Sequence, residues 1–575
     1  MRLRIFSWLV FLFFLAIWAR LGYWQVVRGA ELAARADSQH FDSLDIAARR
    51  GKIISGDGEV LGGTVDKYLL YIYKPHFSGN AEEIAEKLLP FVDRGDRGDR
   101  GEKEEKEEKE KKEETEKMLM EKLSRESVWE LLAKNLSAAE RDEIAEWGVP
   151  GLGFEGQPQR FYPEASMSAH VLGFVGSDAA GRPMGYFGIE GYYDRELRGV
   201  SGYLRQEKDA GGDPILVGSY QEVEPRPGRD VVLTIDRYVQ TLVENELKEA
   251  LTKYGAVAGE VVIMDPKDGA IIAIASFPNY DPNDFGKFDS KVYRNPAISE
   301  TYEPGSTFKV LVMSAALNEG VVEPETKCDN CNGPVQIGKY LIRTWDGKYR
   351  EGISMTDTII HSDNTGMVFA GRKLGIEKMV EYLGKFGIGK ATGIDLQEEA
   401  APGLREKWGE IDLATASFGQ GVAVTSMQML RAVGTIANGG VVTVPHVARS
   451  IIDKGIEKNV EIKIGERVIS KRAAEEMTEM MVKAVLEGEA KFAAPKGYLI
   501  AGKTGTAQIP VAGHYDSDKT IASFVGFAPA KNPKFVMIVK LREPTSSPWG
   551  SETAAPLWFA IAKKLLLYWG IPPDR

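Results

Sequence analysis

The chain has 575 residues, of which 43% are hydrophobic and 27% charged, and it carries a net charge of −11 at pH 7. This length exceeds one ordinary core and predicts two or three domains of a folded globular protein. The acidic balance argues against nucleic-acid binding, which requires a basic face. There are six histidines and two cysteines, without an HExxH motif or zinc-finger spacing, so we predict neither a metal nor another cofactor.

The first predicted element is an apolar helix near the N-terminus. Residues 5–19 carry no charge, and an extension through Trp24 spans about 30 Å, which matches the hydrocarbon core of a bilayer. A cleaved signal peptide is the alternative, but the Ala-x-Ala sequence at 34–36 lies far beyond the apolar run. We therefore predict that residues 1–27 form a cytoplasmic stub and an uncleaved anchor. The protein would then be single-pass in the cytoplasmic membrane, with its bulk on the outer side.

Residues 28–225 mix short strand patterns with polar helices and contain no reactive constellation, so we predict a non-catalytic pedestal. Within it, residues 93–117 hold twelve acidic residues, nine basic residues and no apolar one. This composition predicts a disordered segment or a solvated single helix with Glu–Lys pairs. A partner-binding role is the alternative to a simple solvated insertion.

A change in composition at 225–228 marks the start of a second domain, residues 226–575. In chain order we predict a strand at 231–235, a helix at 239–251, a hairpin of strands 259–265 and 270–276, three strands at 498–508, 521–528 and 535–541, and a covering helix at 554–568. A helix-rich middle flanked by sheet strands predicts an α+β fold.

The first of three short motifs in this domain is Ser306-Thr307-Phe308-Lys309, which follows Glu-Pro-Gly. The pattern over 306–318 is helical, and residues i and i+3 share a helix face, so the Lys309 amine can reach the Ser306 hydroxyl. A serine needs a base to become a nucleophile, and a lysine can be that base when burial and a second cation keep it neutral. Ser-x-x-Lys is common by chance in helices, and alone it is weak evidence.

The second motif is Ser362-Asp363-Asn364, which follows a predicted helix at 355–360. The Ser362 hydroxyl can relay a proton to a leaving amine, and the Asn364 amide can both donate to and accept from a peptide. A helix-capping turn is the structural alternative, because Ser, Asp and Asn are preferred caps. The adjacent His361 suggests a Ser-His-Asp triad, but sequence neighbours point to different faces, which argues against it.

The third motif is Lys503-Thr504-Gly505-Thr506, inside the strand pattern 498–508. The two threonine hydroxyls and the Lys503 charge suit a carboxylate. The glycines at 502 and 505 are expected to let a substrate backbone approach as an added strand. The backbone N–H groups of Ser306 and Thr506 can form an oxyanion hole.

Two further patterns have weaker interpretations. Residues 497–504 fit the Walker A pattern, but apolar residues inside it favour a strand over a phosphate-binding loop, so we reject it. Cys328 and Cys331 form a lone CxxC, which supplies too few ligands for structural zinc and lacks a thioredoxin-like context. A local disulfide and two free thiols remain the alternatives.

In the order Ser-x-x-Lys, Ser-Asp-Asn and Lys-Thr-Gly, the motifs resemble those of the penicillin-binding proteins and serine β-lactamases. Stretches at 160–163, 188–191 and 302–305 are similar to the class B penicillin-binding proteins. The resemblance implies one transmembrane helix, a mixed, dimerisation-like pedestal and a transpeptidase domain. That domain would combine an antiparallel sheet with a helical subdomain, as in serine β-lactamases. The family's first arginine-glycine motif resembles Arg50-Gly51 of this chain. In the family this motif usually continues with Asp-Arg, where this chain has Ser55-Gly56.

The resemblance also implies the role of each motif. Ser306 is acylated by the penultimate D-Ala of a peptidoglycan stem peptide, with release of the terminal D-Ala, and Lys309 is the base. Ser362 and Asn364 are the relay and positioning pair, and residues 503–506 bind the substrate carboxylate. An amine from a neighbouring stem peptide then takes the acyl group, and β-lactams block the serine covalently.

The implied partners are stem peptides, β-lactams, the membrane and other cell-wall synthesis proteins. A SEDS-type membrane glycosyltransferase is implied as well, because residues 28–225 lack the catalytic segment of a class A glycosyltransferase. A carboxypeptidase side activity belongs to the same chemistry. The alternatives are a membrane-bound β-lactamase, which needs a residue to hold a deacylating water, and a penicillin-sensing receptor, which needs a cytoplasmic signalling part; we identify neither in the sequence. The tail at 522–574 resembles the septal subgroup and favours division over elongation.

Overall fold

The computed structural model describes residues 2–92, 102–207, 220–511 and 514–574. The α-helices in this part of the chain are α1 (Arg2–Gly22), α2 (Gly29–His40), α3 (Ala81–Val92), α4 (Glu102–Ser124), α5 (Ala138–Ala145), α6 (Ala169–Leu172), α7 (Gly188–Tyr192), α8 (Asp194–Leu197), α9 (Arg237–Tyr254), α10 (Pro296–Ser299), α11 (Lys309–Asn318), α12 (Met355–Ile360), α13 (Asn364–Leu374), α14 (Ile376–Phe386), α15 (Glu410–Ala416), α16 (Ser426–Ala437), α17 (Lys471–Glu487) and α18 (Ala554–Tyr568).

The strands in the same ranges are β1 (Phe41–Ile46), β2 (Ile53–Ile54), β3 (Val60–Tyr73), β4 (Trp129–Leu136), β5 (Leu152–Phe161), β6 (Phe174–Ser177), β7 (Pro183–Tyr186), β8 (Gly202–Glu207), β9 (Tyr220–Val223), β10 (Asp230–Leu233), β11 (Ala258–Met264), β12 (Ile271–Phe277), β13 (Val335–Ile337), β14 (Tyr340–Ile342), β15 (Val441–Thr443), β16 (Ala448–Asp453), β17 (Ile456–Asn459), β18 (Ile464–Arg467), β19 (Ala501–Val511), β20 (His514–Ala528) and β21 (Phe535–Arg542).

The chain divides into two compact units that interleave along the sequence. The smaller unit comprises Met1–Arg50, Asp66–Gln159 and Gly199–Gly228. The larger unit comprises Gly51–Val65, Arg160–Arg198 and Arg229–Arg575.

The N-terminal helix agrees with the predicted anchor in length and composition. Together with a π-helical turn at Tyr23–Val27, α1 forms a 26-residue helix, Arg2–Val27, with a mean hydropathy of 2.0 and no buried residues. A helix of this length can cross the hydrocarbon core of a membrane.

In the smaller unit, α3, α4 and α5 share a core with β3 and β4. The described part of the charged insertion is helical, since α4 begins at Glu102, which agrees with one of the two predicted alternatives; residues 93–101 lie outside the described residues. The buried leucines of α4, Leu119 and Leu123, follow the insertion. The helix is therefore held to the core by its C-terminal turns.

The larger unit contains a five-stranded antiparallel sheet in the order β12-β11-β21-β20-β19. Successive side chains of a strand point to opposite faces, and β11 supplies both faces with apolar residues. Val261 and Ile263 join the core beneath α9 and α18, whereas Val262 and Met264 join the core around α11 and α16. The sheet is thus covered by helices on both faces, which confirms the α+β prediction.

Most of the predicted elements of this unit are present. The hairpin is β11–β12, the three late strands are β19, β20 and β21, and α18 occupies the predicted 554–568. The predicted strand 231–235 ends at Leu233, two residues early. The predicted helix 306–318 starts as a 3-10 turn, Gly305–Phe308, before α11.

Candidate active site

Ser306 lies in the 3-10 turn that immediately precedes α11. Gly305 has a φ of +54°, which glycine adopts without strain, and its N–H donates to the Gly419 carbonyl at 3.0 Å. The Thr307 hydroxyl donates to the Pro304 carbonyl at 2.7 Å. Ser306 is half-buried while Thr307 is buried. The turn is therefore fixed on both sides of a serine that keeps partial solvent access.

Lys309, the first residue of α11, is completely buried. Its Nζ lies 2.5 Å from the Ser362 carbonyl oxygen, 2.8 Å from Asn364 Oδ1 and 3.2 Å from Ser362 Oγ. Burial and the neighbouring Lys503 hold the pKa of Lys309 well below its ordinary value of 10.5, against the opposing effect of Asp363 and Glu489. A neutral amine has two N–H donors. The two carbonyl oxygens accept both and leave the lone pair for a hydroxyl proton.

The second motif is held in an unusual backbone conformation. Ser362 has a φ of +55°, in the left-handed region that serine rarely adopts. Asp363 caps α13 by accepting from the Gly366 N–H at 3.0 Å, so the structural alternative of a capping turn is correct for this residue. The Asn364 amide is oriented from both ends, because its Nδ2 donates to the Arg343 carbonyl at 2.9 Å while its Oδ1 accepts from Lys309.

Ser306 and Lys309 lie one turn apart, as predicted, yet no hydrogen bond joins their side chains in the described part of the chain. The Lys309 amine instead donates hydrogen bonds to Ser362 and Asn364 of the second motif. Catalytic hydrogen bonds are often loose before substrate binds. His361 contributes its carbonyl, which accepts from Trp345 Nε1 at 3.1 Å; within the described ranges its ring bonds no serine or aspartate, so no Ser-His-Asp triad exists there.

The third motif occupies the middle of β19. Lys503 is 3% exposed, and its Nζ donates to Thr504 Oγ1 at 3.1 Å. Burial lowers the pKa of Lys503 from 10.5, while Glu489 opposes the shift. Thr506 Oγ1 accepts from the Gly550 N–H at 3.0 Å. Since each threonine hydroxyl already accepts one bond, its own proton is available to donate to a carboxylate.

The two glycines of this strand are required by packing within the protein, while their predicted role in letting a substrate backbone approach stays a prediction. A Cβ at Gly502 would lie 2.4 Å from the Phe524 ring. A Cβ at Gly505 would lie 2.5 Å from Ser523 Oγ and 2.8 Å from Thr307 Cγ2. The space beside each glycine is thus filled by the protein itself, and Gly505 lets β19 pack directly on the Ser306 turn.

The position of β19 in the sheet leaves one of its edges without a strand partner. It is the last strand in the order, paired with β20, and no other described strand pairs with it. An edge strand can accept an extended peptide as an added strand. The strand continues to Val511, so the Walker A pattern at 497–504 does not form a phosphate loop that opens a helix.

Glu489 is the titratable group of the site that sequence reasoning missed. It is half-buried, two residues beyond the end of α17, and its charge acts on both Lys309 and Lys503. A Cβ at the preceding Gly488 would lie 3.0 Å from the Ile360 carbonyl, close to the second motif. Glu489 belongs to no motif, and no sequence signal could have found it.

The structure decides between a local disulfide and two free thiols, the alternatives left open for the two cysteines. Cys328 and Cys331 are buried and form a disulfide, with Cα atoms 5.7 Å apart. The Cys328 N–H donates to the Ile353 carbonyl at 2.9 Å. The disulfide therefore stabilises the start of the segment between α11 and α12, which also carries the site residues Arg343 and Trp345.

Two family models match the chain over most of its length. The model described as the penicillin binding protein transpeptidase domain matches residues 259–566, which include all three motifs. The model described as the penicillin-binding protein dimerisation domain matches residues 45–233. The chain belongs to the class B penicillin-binding proteins. The predicted family is thereby confirmed.

Relatives and solved structures cover between 79% and 98% of this penicillin-binding protein. Stage V sporulation protein D of Bacillus subtilis is 33% identical over 569 residues, which are 98% of this chain and 85% of that protein. The probable peptidoglycan D,D-transpeptidase PenA of Neisseria meningitidis is 31% identical over 79% of this chain and 76% of its own length. The crystal structure of penicillin binding protein 3 from Mycobacterium tuberculosis, complexed with aztreonam, is 25% identical, covers 93% of this chain and 98% of that chain, and has a TM-score of 0.69.

Proposed function

We propose that this penicillin-binding protein is a peptidoglycan D,D-transpeptidase that cross-links stem peptides through an acyl-enzyme on Ser306. Relatives named as peptidoglycan D,D-transpeptidases support the reaction class. The observation that carries the proposal is the fully buried Lys309, whose pKa is depressed and whose amine bonds Ser362 and Asn364 one turn from Ser306. β-Lactams, whose amide resembles the scissile peptide bond, inhibit such an enzyme by acylating the same serine.

In the first half-reaction the neutral Lys309 takes the Ser306 proton, and Ser306 Oγ attacks the carbonyl of the penultimate D-Ala. The N–H groups of Ser306 and Thr506 stabilise the oxyanion of the tetrahedral intermediate. The Ser362 hydroxyl, 3.2 Å from Lys309 Nζ, relays the proton to the departing amine of the terminal D-Ala. An ester on Ser306 remains.

Substrate binding uses the open edge of β19. The substrate's extended backbone lies along this edge, and its terminal carboxylate accepts from the hydroxyls of Thr504 and Thr506 in the field of Lys503. Gly505 holds this strand against the Ser306 turn. In the second half-reaction the amine of a neighbouring stem peptide attacks the ester and loses its proton to Lys309. Lys309 returns this proton to Ser306 Oγ as the ester bond breaks, which restores the free serine and the neutral amine.

The N-terminal anchor indicates where the enzyme acts and in which membrane its partner lies. The N-terminal helix and the family together indicate a single-pass membrane protein. We assign the catalytic domain, residues 226–575, to the outer side of the cytoplasmic membrane, where peptidoglycan is cross-linked, and residues 28–225 to a non-catalytic pedestal. A SEDS-type glycosyltransferase in the same membrane would supply the glycan strands.

The proposal is tested with the purified full-length protein in detergent. A synthetic stem pentapeptide and a labelled D-amino acid acceptor are incubated with the protein, and the exchanged peptide is measured by mass spectrometry. We expect release of D-Ala together with incorporation of the acceptor. Rapid hydrolysis of penicillin with no peptide exchange would instead identify a β-lactamase and contradict the proposal.

A further inference from the structure

A row of buried polar residues crosses the five-stranded sheet and ends in the third motif. Ser276, Glu260, Lys540, Ser523 and Gly505 lie directly opposite one another on adjacent strands from β12 to β19. The four polar side chains are between 1% and 6% exposed. Residues directly opposite in an antiparallel sheet place their side chains on the same face. The row is therefore continuous across the whole sheet.

An ion pair forms the centre of this row. Lys540 Nζ lies 2.9 Å from Glu260 Oε1, and the hydroxyl of Ser426, the first residue of α16, donates to the same carboxylate. The desolvation of two buried charges offsets most of their attraction, and an apolar pair of similar volume often stabilises a fold equally well. Fold stability alone therefore does not explain a charged pair at this place.

On one side, Lys540 contacts the segment that leads to the nucleophile. Its Nζ lies 4.6 Å from the ring centroid of Tyr302, within the range of a cation–π interaction. Tyr302 is buried, and its backbone exchanges two hydrogen bonds of 2.9 Å with Val424, just before α16. Three residues separate Tyr302 from Ser306.

On the other side, the row supports the substrate strand. The Ser523 hydroxyl fills the space beside Gly505, which also packs on Thr307 and on the Pro304 carbonyl, 3.1 Å from where its Cβ would be. The spacing between β19 and the Ser306 turn thus depends on side chains of the row.

We propose that Lys540 is a positioning residue whose pair with Glu260 holds the Ser306 turn and β19 at the separation needed for their N–H groups to converge on one oxyanion. The inference rests on the proposed acyl transfer at Ser306. The Lys540 charge holds the Tyr302 ring, the neighbouring strand β20 carries Ser523 between Lys540 and Gly505, and Glu260 with Ser426 fixes that charge. A neutral pair would fill the core but would release Tyr302 and the turn after it. A displacement of about 1 Å at a reacting group can cost about 100-fold in rate.

The test uses the double variant E260L/K540M, which replaces the buried pair by apolar side chains of similar size. The matched control is E246L/K564M, the same exchange in a more exposed ion pair between α9 and α18. For each protein, the melting temperature, the dissociation constant of the non-covalent penicillin complex and the first-order acylation rate are measured. We expect E260L/K540M to acylate about 10- to 100-fold more slowly with less than about a threefold change in dissociation constant. The control is expected to match wild type.

Two single variants complete the test. K540R keeps the charge over Tyr302, so its acylation rate should stay within about threefold of the wild-type rate. S523A keeps the ion pair but removes the hydroxyl beside Gly505, and should slow acylation by about three- to tenfold without a change in melting temperature. If E260L/K540M fails to fold, the isosteric single variant E260Q, which removes the carboxylate charge that fixes Lys540, decides the question and should slow acylation by about 10- to 100-fold.

Acylation at the wild-type rate in a folded E260L/K540M, or in E260Q where the double variant does not fold, would overturn the positioning role. A wild-type protein that takes up no penicillin would instead refute the proposed function, and with it this inference.

Discussion

Lys309 Nζ lies 2.5 Å from the carbonyl oxygen of Ser362 and 3.2 Å from its hydroxyl. In this contact Ser362 has a φ of +55°, which costs about 1 kcal/mol for a residue with a Cβ. The packing of α12 and the Asp363 cap of α13 maintain it. The general base is thus kept beside the residue that passes its proton on.

Replacing Lys309 by arginine tests whether this amine is the base. Arginine keeps the positive charge but cannot lose its proton, so Lys309→Arg should bind penicillin yet acylate at least about 100-fold more slowly. Lys503→Arg is the matched control, since only a positive field is required there, and its loss should be milder. Stopped-flow acylation kinetics measure both variants. A Lys309→Arg rate within about tenfold of wild type would exclude Lys309 as the general base.

The pH dependence of acylation should report both lysines. Acylation needs Lys309 neutral and Lys503 protonated, so the rate rises with pH through the pKa of Lys309 and falls through the pKa of Lys503. The Glu489 carboxylate raises both pKa values, while Asp363, which faces Arg350, raises that of Lys309. Removal of the charge in Glu489→Gln must lower both, so both limbs of the profile should move to lower pH.

The control for this experiment is Glu487→Gln, which removes an exposed carboxylate at the end of α17. Its profile should coincide with that of wild type. A Glu489→Gln profile that loses amplitude without moving, or in which one limb alone moves, would show that Glu489 acts on the fold and not on the two lysines.

The charged insertion should be dispensable for chemistry. Residues 94–117 contain no apolar residue, and loop-closure entropy changes slowly with length. Their deletion should leave the acylation rate and the melting temperature nearly unchanged. By contrast, Leu119→Ala, in the buried part of α4, should cost about 2–5 kcal/mol of unfolding free energy. A deletion variant as unstable as Leu119→Ala would show that the insertion packs on the smaller unit.

The packing of Gly505 makes a further prediction. A methyl group there would meet Ser523 and Thr307, so Gly505→Ala should push β19 away from the Ser306 turn and slow acylation by about 100-fold. Gly286→Ala adds the same atom where nothing lies within 4 Å and should have no effect. The penicillin acylation rate and the melting temperature are measured for both variants. A clash inside the protein lowers the melting temperature of free Gly505→Ala as well as its acylation rate, whereas lost clearance for the substrate lowers the acylation rate alone.

The sequence predicted the parts of this site that are local in the chain. The Ser306–Lys309 spacing, the strand at Lys503 and the hairpin β11–β12 follow from periodicity and turn chemistry, which act over a few residues. The 3-10 start of α11 was not predicted, because it depends on the Gly305–Gly419 hydrogen bond between distant segments.

The parts of the site that the sequence did not predict all depend on tertiary contacts. Nothing near Glu489 in the sequence indicates that it faces two lysines, and the opposition of Glu260 and Lys540 appears only when the strand order is known. Asp363 is an intermediate case, because its capping role was available as an alternative while its effect on Lys309 was not.

The most direct test of the central claim is mass mapping of the penicillin-acylated peptide. The full-length protein is labelled with a fluorescent penicillin, digested, and compared with Ser306→Ala. The melting temperature of this variant should equal that of wild type, which shows that it is folded. The proposed mechanism predicts one modified peptide, with the added mass on Ser306, and no labelling of the variant. A label on Ser362 or another residue, or undiminished labelling of Ser306→Ala, would contradict it.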